Sequence, residues 1–336
     1  MDMFGDPAIW LPLAFASLMG LSILIYVCLD GFDLGIGVLF PFATEAEKDR
    51  MVASIGPFWD ANETWLVLAI GILLVAFPSA HGVILTTLYL PVAIMLVGLI
   101  LRGVAFEFRA KAPARRKRLW DLSFWIGSLM ASLAQGFMLG LYVMGLEMTP
   151  FTLFFGALTA VFLTVAYSFI GAAWMILKAE GELQVKAIQW AQGGIWGVVL
   201  GLGAISLASP FVSSRIFDKW FTLPELYFLV PLPVISAGLI FLLWGLLRSL
   251  PRESDALCAA PFVLTIALFT LGFIGMAYSF YPYVVPDRLT IFEAASAPES
   301  LMIIFVGTLV VLPMIIGYTV LSYVIFRGKA TELRYD

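Results

Sequence analysis

Long apolar runs constrain this chain more than any other feature. Stretches near residues 9–30, 54–77, 80–105, 119–145, 151–177, 188–213, 224–247, 257–281 and 299–326 are each apolar enough to cross a bilayer, for which a helix needs about 20 residues. Hydrocarbon offers no water to an exposed amide, so a crossing backbone must close its hydrogen bonds within helices or a barrel, and runs of this length select helices. Composition agrees: 62% of the 336 residues are hydrophobic and 12% charged, with a mean hydropathy of +1.00, against about 25% charged in a soluble domain. The expected fold class is an all-α integral membrane protein, a bundle of about nine transmembrane helices. No fixed-period repeat, low-complexity tract or Ser/Gly linker divides it, so residues 1–336 are expected to form a single polytopic membrane domain.

Charge placement gives orientation. Lys48 and Arg50, Arg109 to Arg118, Lys178 and Lys186, Arg248 and Arg252, and Arg327, Lys329 and Arg334 fall in alternate connections, while the intervening ones hold only Arg215, Lys219 and Arg288. The positive-inside rule makes the rich set cytoplasmic, with the C-terminus inside and, for an odd number of spans, the N-terminus outside. Arg109 to Arg118 reads as a solvated, orientation-setting loop. The basic residues sit in short connections between apolar runs, which leaves no nucleic-acid footprint. The opening Met1-Asp2-Met3-Phe4-Gly5-Asp6 has no basic n-region and no small-residue cleavage site follows, so the first helix is expected to be retained. Asn62-Glu63-Thr64 matches a glycosylation sequon but falls inside a span.

Ionisable residues inside apolar helices are the candidates for chemistry, since each costs roughly 2.5–3.5 kcal/mol at the bilayer centre. Asp60 and Glu63 stand three apart on one helix face within Gly56-Pro57-Phe58-Trp59-Asp60-Ala61-Asn62-Glu63-Thr64-Trp65-Leu66. If that helix starts at Arg50, the rise per residue puts Asp60 roughly 15 Å in, near mid-membrane. Asp30 and Asp33 end the first span in Asp30-Gly31-Phe32-Asp33-Leu34-Gly35 and are expected near its cytoplasmic side. Glu107 and Lys111 close the third span on one face, a charged cytoplasmic mouth. Each carboxylate could handle protons or act as an ion-paired clamp that fixes helix register. Asp60 is read as functional, Arg102 as a structural counter-ion, and Asp30, Asp33 and Glu63 stay open between the two roles. Small-xxx-small pairs such as Gly136-Gly140 and Gly197-Gly201 are read as helix-packing sites.

The residue inventory excludes much. His81, placed in a short outer loop after Pro78, is the only histidine, so bis-histidine haem ligation within the chain is impossible. Cys28 and Cys258 are read as packing residues and no metal site is expected. Gly31-Gly35-Gly37 has no strand before it, which removes a dinucleotide fold. These readings reach a proton-handling bundle without its own redox centre. A proton-coupled secondary transporter is the alternative, although the repeat symmetry and paired broken helices usual there are not visible.

Asp30-Gly31-Phe32-Asp33-Leu34-Gly35, Trp59-Asp60 through Trp65-Leu66, and Arg102 to Arg109 resemble subunit II of cytochrome bd-type quinol oxidases, a family that includes cyanide-insensitive oxidases. The length, the nine-span layout and the ending Leu312-Pro313 to Tyr318-Thr319 with Phe326-Arg327-Gly328-Lys329 extend the likeness through most of the chain. The resemblance implies a haem-free subunit of an electrogenic terminal oxidase in the bacterial cytoplasmic (inner) membrane. The complex would oxidise quinol on the outer side and reduce oxygen to water. Haem b and haem d would be held entirely by subunit I, the expected partner, with a small single-helix subunit, membrane lipid and quinone as further ones. Carried over by position, Asp60, Glu107 and Lys111 look like members of a cytoplasmic proton path, and Trp65 looks like the residue at the oxygen access route. Glu107 replaces the aspartate of some relatives, which keeps a carboxylate but changes its reach.

Overall fold

The computed structural model describes residues 6–212, 214–252 and 255–330; Met1 to Gly5 and Arg334 lie outside the described residues. Thirteen α-helices follow one another there: α1 (Pro7–Leu39), α2 (Glu45–Ile55), α3 (Trp59–Ala76), α4 (Pro78–Lys111), α5 (Ala114–Val143), α6 (Pro150–Lys178), α7 (Gly181–Val212), α8 (Ser214–Phe221), α9 (Leu226–Leu229), α10 (Pro231–Ser249), α11 (Ala260–Phe280), α12 (Ile291–Ala294) and α13 (Pro298–Ile325), with a short 3-10 turn at Phe40–Phe42 after α1. Strands β1 (Tyr283–Val285) and β2 (Leu289–Thr290) pair antiparallel between α11 and α12. Among the described residues nine segments are long and apolar enough to cross a membrane: α1, α3 to α7, α9 with α10, α11 and α13.

Local chemistry sets the boundaries. Asp6 caps α1, its side chain accepting from the Ala8 amide at 2.9 Å ahead of Pro7. Thr44 and Glu47 form a capping box that starts α2, and Gly56-Pro57 separates α2 from α3. Pro78 opens α4, and Pro113 separates α4 from α5.

These boundaries correct several expectations. Helix α1 does not stop at Asp30 but runs on to Leu39, which buries both Asp30 and Asp33 inside the bundle. The residues ahead of α3 form the separate helix α2, whose Met51 to Ile55 are buried. Trp174 Nε1 on α6 donates to the Ser54 carbonyl of α2 at 3.2 Å. No single rod joins Arg50 to Asp60, so the continuous rise reckoned from Arg50 does not apply. Arg109 is not solvated: it lies in α4, 3% exposed. His81 stands in the first turn of α4 rather than in a loop.

Packing centres on α1 and α6, with α4, α5 and α6 in sequence around them; α3 and α13 lean on α1, and α7, α10 and α11 form the opposite side. In lipid no hydrophobic force drives helices together, so close backbone approach and polar contacts must do so. Helices α1 and α6 cross where Gly35 meets the Tyr167 carbonyl oxygen, so closely that a Cβ at Gly35 would overlap it. Helices α4 and α5 do the same at Gly98 and Gly127, where a Cβ on Gly127 would stand 2.6 Å from the Gly98 oxygen. The pair Gly136 and Gly140 meets α6, and Gly197 and Gly201 meet Val165 and Phe162 of α6.

Candidate functional site

The polar heart of the bundle joins four helices. Arg102 Nη1 of α4 donates to Asp30 Oδ1 of α1 at 2.6 Å, and its Nη2 lies 3.9 Å from Glu63 Oε1 of α3. Asn62 Nδ2, one residue before Glu63, donates to Asp33 Oδ2 at 2.9 Å, and the Tyr323 hydroxyl of α13 donates to Asn62 Oδ1 at 3.0 Å. A second chain of bonds flanks the first: Gln135 Nε2 donates to the Tyr26 hydroxyl and the Tyr167 hydroxyl donates to Gln135 Oε1, both at 2.8 Å. Three carboxylates around one guanidinium leave an excess of negative charge at full ionisation. Asp30 Oδ2, Asp33 Oδ1, Arg102 Nε and Arg102 Nη2 have no hydrogen-bond partner among the described residues. Buried ions in this condition are costly, and removing one partner of such a pair costs about 3–5 kcal/mol.

Asp60 is not part of this interior. It occupies the first turn of α3 with its side chain exposed, one turn before Glu63, which is 30% exposed. Val67, Ile70 and Leu74 continue the exposed stripe along α3, so Asp60 and Glu63 head an otherwise apolar outward face. Glu107 and Lys111 are both exposed near the C-terminal end of α4. Neither bonds to Asp60 directly; the two helices touch there through Trp59 against Phe106, ring centroids 5.4 Å apart. Trp65 is 2% exposed and its Nε1 donates to Thr319 Oγ1 of α13 at 3.3 Å. Asp30, Asp33, Glu63 and Arg102 are thus brought together, with Asp60 at the edge of the group and Glu107, Lys111 and Trp65 apart from it.

An ion-pair belt spans the basic end of the bundle. Arg109 Nε reaches Asp121 Oδ1 of α5 and its Nη1 reaches Asp49 Oδ1 of α2, each at 2.6 Å. Lys48 meets Asp121 at 3.0 Å, and Lys186 of α7 meets Glu47 at 2.7 Å. Burial works to raise the Asp49 carboxyl, yet Arg109 and then Lys117 hold it below its ordinary range. Burial likewise opposes but does not cancel the lowering of Glu47 by Lys186 and Thr44. This belt ties α2 to α4, α5 and α7. Sequence reasoning missed it, although Asp121 beside an apolar run was a visible signal. It also missed Asn62, Gln135 and the tyrosines, neutral polar residues that only the packed bundle brings together.

Among the described residues no group of three or more His, Cys, Asp or Glu side chains is placed to hold a metal ion. The lone His81, half-buried in the first turn of α4, does not make a haem ligand set.

The profile of the family "Cytochrome bd terminal oxidase subunit II" matches residues 11–326. The chain is 28% identical to cytochrome bd ubiquinol oxidase subunit 2 of Bacillus subtilis (strain 168) over 329 residues, covering 90% of this chain and 92% of that one. It is 24% identical to cytochrome bd-I ubiquinol oxidase subunit 2 of Escherichia coli (strain K12) over 365 aligned positions, covering 94% of each. Among solved structures, a chain of the bd oxidase from Geobacillus thermodenitrificans superposes with a TM-score of 0.76 over 96% of this chain and 100% of that one, at 17% identity, a likeness of fold.

Proposed function

The chain belongs to the cytochrome bd terminal oxidase subunit II family, and on that premise we propose that it delivers protons to a haem-bearing partner through the face that carries Asp60. Membership makes it a multi-pass bacterial inner-membrane subunit of a quinol oxidase complex, a complex that contains haem and a subunit I. The finer assignments are part of the proposal. Subunit I holds haem b and haem d, which supply the oxygen chemistry, and this chain lends no ligand to either. Quinol is oxidised on the outer side, where the N-terminus lies. Residues 1–336 act as one polytopic unit, with a small single-helix subunit, lipid and quinone as further contacts.

The observation that carries the reading is the exposed Asp60, with the partly exposed Glu63 one turn on, heading the apolar stripe of α3. A carboxylate on a lipid-facing surface is costly, roughly 2.5–3.5 kcal/mol at the centre and less near the interface, whereas one facing a partner subunit can pass a proton to it. Glu107 and Lys111 gather protons at the charged end of α4 and Asp60 receives them; the Trp59–Phe106 contact holds the ends of α3 and α4 beside each other. The Asp30–Arg102–Glu63 group holds α1, α3 and α4 in register beneath this route. Trp65 is assigned to oxygen access.

Asp60→Asn in the intact oxidase tests the relay. It keeps the size and most hydrogen bonding but removes the titrating proton, so quinol-driven oxygen consumption should fall at least about tenfold while the reduced-minus-oxidised haem spectrum is unchanged. Asp60→Glu should retain part of the rate. Parental turnover and proton uptake in Asp60→Asn would overturn the relay, and loss of the haems would instead make Asp60 a clamp on the partner.

A further inference from the structure

We propose that the cleft between α7 and α10 binds the phosphate headgroup of an anionic glycerophospholipid, with Arg248 as the phosphate-binding cation. The cleft has a volume of about 200 Å³ and is lined by Gln192, Ile195 and Trp196 of α7 and by Trp244, Leu247 and Arg248 of α10. It lies on the side of the bundle away from the Asp60 face: α7 packs on α6 and α10 on α7 and α11, whereas α3 and α13 pack on α1. It is therefore separate from the proton route and from the surface assigned to subunit I.

Three features select the ligand. The Arg248 guanidinium carbon stands 3.8 Å from the centroid of the Trp244 ring, and no carboxylate pairs with Arg248 among the described residues. The ring covers one face of the guanidinium, and among the described residues nothing bonds to its N–H edge, the geometry that meets two phosphate oxygens at once. Gln192 Nε2 donates to the Leu247 carbonyl at 2.9 Å, which pins α7 to α10 beside that edge and leaves the amide oxygen free for a glycerol hydroxyl. Depth gives the third feature. Arg248 lies in the last turn of α10, at the basic end that the positive-inside rule places in the cytoplasm, which is headgroup level. Basic pockets between spans on this side suit anionic headgroups.

The walls supply the rest. The cleft is below the roughly 300–1,000 Å³ of a pocket that encloses a whole small ligand, so it takes a headgroup and not an entire lipid. Trp196 is 61% exposed, Leu200 follows it one turn along α7, and Phe241 is 72% exposed two turns before Arg248 on α10. These side chains form an apolar track leading from the cation toward the bilayer interior, the course of an acyl chain. A soluble phosphate compound would use the cation and ignore this track.

Native mass spectrometry of the purified, delipidated oxidase complex tests the site, titrating phosphatidylglycerol or phosphatidylcholine of matched chains. The parent should bind phosphatidylglycerol more tightly than phosphatidylcholine at one site. Arg248→Gln should weaken that site roughly five- to tenfold, the effect of one interfacial cation, with the haem spectrum intact. Arg248→Lys should be intermediate, because charge survives and the fork does not. Trp196→Ala should weaken both lipids alike, and Arg252→Gln, at the same end but outside the cleft, should change neither. Parental phosphatidylglycerol binding in Arg248→Gln, or no preference between the lipids in the parent, overturns the proposal. Displacement of the bound lipid by inorganic phosphate as effectively as by phosphatidylglycerol would reassign the cleft to a soluble anion. If Arg248→Gln fails to assemble, Arg248→Lys and Trp196→Ala decide.

Discussion

Asp255 shows how a single residue can fasten a terminus. Its carboxylate accepts from the Cys258 thiol and from Gln184 Nε2, each at 2.7 Å, and it pairs with Lys329, which also donates to the Ala179 carbonyl at 2.9 Å. The bond from Cys258, followed by those from Lys329 and Gln184, holds the Asp255 carboxyl at about 2, while the unfolded chain would have it near about 3.9. A carboxyl lowered on folding contributes stability that is present above the unfolded value and lost as pH falls toward the folded one. The Ala330 amide, next to Lys329, donates to the Lys178 carbonyl at 2.8 Å, and its hydrogen exchange, corrected for intrinsic rate, should not change between about pH 6 and 8. Asp255→Asn should speed it several-fold at every pH. Asparagine tolerates the left-handed backbone here, φ +56°, so the change tests the charge and not the turn. Burial first, and then the neighbouring Asp255, push the Cys258 thiol up to about 11, which keeps it neutral in the cell and makes the expected packing role a polar one as well.

Among elements, the α1–α6 crossing is the closest backbone approach among the glycine contacts, and its glycines leave no room for a side chain. Gly35→Ala would drive a methyl into the Tyr167 carbonyl oxygen, and Gly171→Ala would meet the Ile36 amide nitrogen at 2.7 Å. Overpacking of this kind typically costs about 1–3 kcal/mol. Here it also displaces the backbone beside Asp30 and Asp33, so Gly35→Ala should lower the thermal midpoint of the complex by several degrees or abolish assembly. Gly203→Ala on α7, with open space around it on the side away from the Asp60 face, should not lower the midpoint. The spans themselves were legible because each apolar run exceeds the bilayer requirement. Their ends were less so: Asp30-Gly31-Phe32-Asp33 looks like the polar end of a helix until Arg102, far along the chain, is known to face it. The capping signal Thr44 to Glu47 was present in the sequence, but an 11-residue helix with buried Met51 to Ile55 merges with the apolar run behind it. Hydropathy sees that run as one element, and only Gly56-Pro57 marks the join.

For the whole molecule, the two sides of the bundle differ in kind. The α3–α13 side carries Asp60 and Glu63, while the outer surface of α7 presents Leu207, 72% exposed. If subunit I covers the first side, a bimane label on Val67→Cys in the assembled oxidase should be shielded from nitroxide lipids, and one on Leu207→Cys should be quenched; equal quenching would remove the docking assignment. The candidate site was partly readable for the same reason that it is partly exposed. Carboxylates in apolar runs announce themselves one by one, whereas Asn62, Gln135 and Tyr323 acquire meaning only from neighbours that are distant in sequence. Helix α13 bears on how the chain comes to be made. It is peripheral, with 6% of its apolar window buried, yet Tyr323 and Thr319 satisfy Asn62 and Trp65, residues synthesised more than 250 positions earlier. Until α13 leaves the ribosome and inserts, the Asn62 amide oxygen and the Trp65 N–H stand in the membrane without these α13 partners. A polypeptide that stops short of α13 therefore leaves the Asn62 amide oxygen and the Trp65 N–H unmet within the bilayer, and one that includes α13 hides them.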